Sequence, residues 1–218
     1  MLEGDVRIGL NGAIEDLKAN LGADKIEYGE MLATSSAAGG LRMCVHGLVY
    51  DMTVKAAEAA ALGAGAIVTM ATAGKLSEYD IEDLKEAKPN LILLAGGTDY
   101  GEKETALFNA RMIAASGVKA PVIYAGNVQN KRAVEDIFQK AGISCTVTEN
   151  VYPKLDKLNI EPARKIIHQV FEEHIIKAPG MEHIRDMVTG HIMPTPGAVM
   201  EACLLYTSPS PRDSTSSR

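Results

Sequence analysis

A chain of 218 residues that is 46% hydrophobic, with a formal net charge of -6, holds enough apolar material for a buried core. It lacks the clustered Lys and Arg that nucleic acid or an anionic membrane surface would require, so neither partner is expected. Cys44, Cys145 and Cys203 are odd in number and far apart, which fits a cytoplasmic protein without a disulfide framework, and neither a signal peptide nor a stretch near 18 apolar residues is present.

Val6, Leu10, Ile14, Leu17 and Leu21 recur at helical spacing and predict a first helix opening near Asp5. Residues 34–40 are small throughout, and Ser35, Ser36, Gly39 and Gly40 can approach a ligand closely. Residues 41–49 read as a strand and residues 52–62, rich in Ala, as a helix suited to close packing. From residue 66 onward strands at 66–70, 91–94, 121–125 and 143–148 alternate with helices at 79–87, 102–116 and 131–141, a four-strand βα unit over residues 66–149. The fold class expected is α/β, a parallel sheet with flanking helices over residues 1–152, followed by a helical segment over 153–204 with a break at Pro179-Gly180. Residues 207–218 hold five Ser, two Pro and two Arg, so residues 205–218 are expected to be a disordered tail, and 203–214 look like translated adaptor read-through.

The chain centres on Asn90-Leu91-Ile92-Leu93-Leu94-Ala95-Gly96-Gly97-Thr98-Asp99. Four consecutive large aliphatics suit a strand buried on both faces, and ligands of open α/β sheets sit beyond such carboxyl ends. Gly96, Gly97, Thr98 and Asp99, with Gly126 and Asn127 at the equivalent end of the next strand, are therefore candidate binding residues. A tight strand-to-helix turn needing no ligand explains the glycine pair as well, since neither G-x-x-x-x-G-K-[ST] nor G-x-G-x-x-G is present. His168 and His174 fall on different faces of a predicted helix, and no His, Cys or carboxylate set has ligand spacing, so no metal site is expected. Ser35 and Ser36 have no identifiable base and there is no G-x-S-x-G elbow, so no catalytic residue is assigned.

Leu32-Ala33-Thr34-Ser35-Ser36-Ala37-Ala38-Gly39-Gly40-Leu41-Arg42-Met43, then Leu93-Leu94-Ala95-Gly96-Gly97-Thr98-Asp99, Ala125-Gly126-Asn127, Glu149-Asn150-Val151-Tyr152-Pro153, Leu158-Asn159-Ile160-Glu161-Pro162-Ala163-Arg164 and Met193-Pro194-Thr195-Pro196 follow in the order of the GlmL/MutL family. The chain resembles that family over about residues 5–202. Its members are accessory proteins of adenosylcobalamin-dependent glutamate (methylaspartate) mutase, unrelated to the mismatch-repair protein of similar name.

The resemblance implies a fragment of an actin-like ATPase fold and a reactivating role, with the mutase subunits as partners. It also implies ATP and Mg in the full-length relative, held by D-x-G-S-T and D-x-G-G-x-T loops. Neither loop occurs here, so this chain is expected to be inactive and to hold no nucleotide tightly, although Ser35 to Gly40 and Gly96 to Asp99 would approach the nucleotide cleft. A stand-alone α/β module binding a small ligand or anion is the alternative, and a small-molecule kinase a weaker one. Residues 66–149 also resemble, in element order, the cobalamin-binding domain of the mutase small subunit, without its D-x-H-x-x-G loop.

Overall fold

The computed structural model describes residues 6–35, 41–176, 181–190, 192–195, 197–199 and 202–203. The predicted break at Pro179-Gly180 and the tail beyond residue 203 lie outside them. Five parallel strands, β2 (Arg42–Gly47), β3 (Ile67–Ala73), β4 (Leu91–Leu94), β5 (Val122–Tyr124) and β6 (Cys145–Val147), form one sheet in the order β3-β2-β4-β5-β6. The strand at 42–47 thus belongs to the same sheet as the four at 66–149 and separates β3 from β4. This is the doubly wound order with one reversal, between β2 and β4.

The reversal follows from handedness. Right-handed crossovers place a connecting helix on one face when the chain moves one way along the sheet and on the other face when it moves back. Accordingly α2 (Lys55–Gly63) covers one face together with α6 (Glu161–Ile176) and α7 (Met181–Met187), while α3 (Glu78–Ala87), α4 (Glu104–Ala115) and α5 (Lys131–Lys140) cover the other. Alternation along the strands feeds both layers: Met43, Val45, Leu91, Leu93 and Ile123 meet Ala57, Ala60, Ala61 and Ile167, whereas Cys44, Ile92, Leu94, Val122 and Tyr124 meet Leu84, Ala110, Ile113 and Phe138. Leu91 to Leu94 are all fully buried, as two covered faces require.

Local chemistry sets the boundaries. The Thr53 hydroxyl accepts from the N–H groups of Leu48 and Val49 at 2.8 and 3.0 Å, so the chain after β2 turns through a wide helical turn (Tyr50–Val54) before α2 begins. Ser77 caps α3 reciprocally with Asp80. A register shift opposite Met43 and Cys44 puts a bulge at Thr69 in β3, an edge strand, where the hydroxyl donates to the Met43 carbonyl at 3.2 Å. Before the sheet, α1 (Val6–Leu21) forms as its periodicity predicts, but Ile8, Leu17 and Leu21 remain exposed. Ahead of β2, β1 (Thr34–Ser35) pairs in parallel with β7 (Met193–Pro194) as a separate small sheet.

Candidate functional site

Beyond the carboxyl ends of β4 and β5 the two glycine turns meet. The Asn127 N–H donates to the Gly96 carbonyl at 3.0 Å and the Val128 N–H to Asp99 Oδ1 at 3.0 Å, so Gly96, Gly97, Thr98, Asp99, Gly126 and Asn127 stand together on one edge of the sheet. Their glycines serve contact between protein backbones. A Cβ on Gly126 would lie 2.8 Å from both the Gly96 carbonyl oxygen and Tyr124 Oη. Gly97, at φ +69, has its Cβ position blocked by the Glu102 carbonyl.

Polar side chains complete the closure. Asn127 is fully buried: its amide donates to the Gly101 and Glu102 carbonyls at 3.2 and 3.1 Å, and its oxygen accepts from the N–H groups of Tyr100 and Gln129 at 3.2 and 3.0 Å. Asn150, also buried, donates to the Gly97 carbonyl and to Asp99 Oδ1, both at 3.0 Å. The Asp99 N–H goes to the Pro153 carbonyl at 2.9 Å. The N–H groups of Asp99, Tyr100, Asn127, Val128 and Gln129 are thus spent inside the protein, and a small anion cradled on them would have to displace these bonds. Of the two sequence readings of the glycine pair, the geometry matches the tight turn.

Ser35 pairs with Pro194 in the separate two-stranded sheet. Ser36, Gly39 and Gly40 lie outside the described residues.

Beside the closed turns is a pocket of about 350 Å³. It is lined by Asp99, Val128, Lys131, Glu149, Asn150, Pro153, Lys157 and Asn159. Sequence reasoning reached Asp99 but missed Asn150, Lys131 and Lys157 as site residues; the one available signal was the polar pair Glu149-Asn150 directly after an apolar strand. The same edge is rimmed by large apolar side chains on four successive loops: Val49 and Tyr50 after β2, Tyr100 after β4, Val128 after β5, and Leu155 and Leu158 after β6. Tyr100 is 77% exposed and holds φ +63, a backbone conformation costly for a residue with a side chain.

At the reversal point between β2 and β4, His46 is fully buried, with Nδ1 2.6 Å from Thr72 Oγ1 and Nε2 without a hydrogen-bond partner among the described residues. Burial lowers its pKa to about 4, with the Asp80 charge acting weakly the other way, so the ring is neutral near pH 7. The Tyr124 hydroxyl, donating to the Asn127 carbonyl at 3.0 Å, is pushed well above the usual phenol range, chiefly by burial. Among the described residues no three His, Cys, Asp or Glu stand together as a metal set, and no helix is long and apolar enough to cross a membrane.

A family model described as MutL protein matches residues 1–215, past residue 202 where the sequence resemblance ended. Protein MutL of Clostridium tetanomorphum is 46% identical over 201 residues, which cover 92% of this chain and 44% of the relative, so the chain spans less than half that protein's length. Matched over nearly its whole length by that model, the chain belongs to the MutL protein family.

Proposed function

We propose that this chain is part of an accessory protein of an adenosylcobalamin-dependent mutase of the glutamate mutase type, and that it acts by docking on the mutase subunits through the carboxyl edge of its sheet. Membership of the MutL family supports the accessory role. The observation that carries the docking mode is the edge itself. Where a doubly wound sheet ordinarily opens to a ligand, the central turns are closed by Gly96 against Gly126 and by Asn127 and Asn150, while Val49, Tyr50, Tyr100, Val128, Leu155 and Leu158 face solvent around them. Exposed apolar side chains on a rigid support suit a protein partner.

ATP use by a longer family member is part of the same proposal. This chain contains neither phosphate loop. Several charge-assisted contacts are then missing, each worth about 1.5 to 3 kcal/mol, and ATP is expected to bind no tighter than about millimolar. Co-purification with separately expressed mutase subunits tests the docking. Retention of the wild-type chain, with loss of retention in the Tyr100→Ser, Leu155→Ser, Leu158→Ser triple variant, is the expected result; equal retention of both would refute this surface. Calorimetry with MgATP tests the nucleotide reading, which micromolar binding would overturn.

A further inference from the structure

The pocket formed by the loops after β4, β5 and β6 contains two Lys and two carboxylates that form no ion pair with one another among the described residues. Lys131 and Lys157 have no ion pair or hydrogen bond from their ammonium groups among the described residues. Asp99 Oδ1 instead accepts from the Val128 N–H and the Asn150 amide, and Glu149 Oε2 from the Asn159 amide at 2.9 Å. The two ammonium groups and the remaining carboxylate oxygens thus face a recess that can take a ligand carrying both charges.

The backbone around the two cations is arranged against local preference. Lys131 and Arg132 open α5, whose first turn has no acidic residue, so both cations sit at the positive end of the helix dipole. Lys157 closes a tight turn from Lys154 in which Asp156 takes φ +56, and the Asp156 N–H donates to Tyr152 Oη at 2.9 Å. Departures of this kind concentrate where a site is being held open.

We propose that this pocket binds a small zwitterion, a free amino acid, with its carboxylate taken by Lys131 and Lys157 and its ammonium by the carboxylates of Asp99 and Glu149. A volume of about 350 Å³ is at the small end for ligand pockets and suits a molecule of that size. The proposal concerns the charged recess and the docking reading the apolar rim; Val128 is the one residue that the two share.

Saturation-transfer NMR on the full chain, with each of the twenty free L-amino acids and with acetate, succinate and inorganic phosphate as anions without an ammonium group, is the test. At least one amino acid is expected to bind with Kd below about 10 mM, and each of the three anions at least tenfold more weakly. Lys157→Met, at an exposed position, and Asp99→Asn, which keeps an oxygen to accept from Val128 and Asn150, should each weaken amino-acid binding at least tenfold while circular dichroism stays unchanged. Failure of all twenty amino acids to bind would overturn the proposal. So would an anion binding as tightly as any amino acid, or wild-type affinity in both variants.

Discussion

Two places on the same edge of this sheet illustrate opposite uses of polar and small residues. At the ends of β4 and β5, glycines let backbone meet backbone, and Asn127 and Asn150 consume the donors and acceptors that remain, leaving a closed knot. One loop further along, where the loops after β5 and β6 flank Asp99, similar hydrogen bonds go to Asp99 and Glu149, which form no ion pair with Lys131 or Lys157 among the described residues, leaving an open recess. Small residues after a strand therefore do not mark a ligand by themselves; what decides is whether the neighbouring turn fills the space. The knot supplies rigidity, and the recess and rim that it supports are where recognition is proposed.

The comparison breaks most sharply at the glycine contact. Gly126→Val would drive a branched side chain into the Gly96 backbone and Tyr124 Oη, and a loss of about 3 kcal/mol or more in chemical denaturation is expected. A loss below about 0.5 kcal/mol would mean that the turns are not packed as described.

Acid probes the reversal point beneath the same edge. His46 has a folded pKa near 4 against 6.5 unfolded. The unfolded state therefore takes up the proton first, and the ring's contribution is intact above pH 6.5, is lost as pH falls from 6.5 to 4, and changes no further below that. The full loss is about 3 kcal/mol. Denaturation curves at pH 7.5, 5.5 and 4, read as the difference between wild type and His46→Leu, should show it; a pH-independent difference would count against a neutral buried ring.

Asn127→Ala removes four hydrogen bonds from a fully buried side chain and should cost about 2 kcal/mol, since the Gly101 and Glu102 carbonyls and the Tyr100 and Gln129 N–H groups lose their partner. By contrast, Lys157→Met in the recess should change the unfolding free energy by less than about 0.5 kcal/mol. A large loss there would show that the recess is part of the scaffold.

Much of the scaffold was legible in the sequence, and for local reasons. Four aliphatics with no polar residue between them identify β4, and the spacing of Val134 and Phe138 identifies the buried face of α5. What was not legible depends on distant partners. Nothing near residue 42 announces that β2 separates β3 from β4, because that neighbour relation follows from the direction of the crossovers. Gly96 and Gly126 read as room for a ligand because the residues that fill their space are distant in the chain: the Gly96 backbone lies where a side chain of Gly126 would be, and Leu48 and Ala106 face Gly96. The pairing of Ser35 with Pro194 is likewise announced by nothing near residue 35. β6 proved shorter than the pattern over 143–148: the Ile143 N–H is taken by the Phe138 carbonyl at the end of α5, and Thr148, though its N–H still reaches the Tyr124 carbonyl, lies beyond the strand's end at Val147.

Hydrogen–deuterium exchange of the full chain with and without the mutase subunits tests the docking edge most directly. The account predicts slowed exchange over residues 99–103, 127–130 and 152–159 on mixing, with residues 85–89 and 116–120 at the opposite edge unchanged. Unchanged exchange on the carboxyl-edge loops, or slowing confined to the opposite edge, would contradict it.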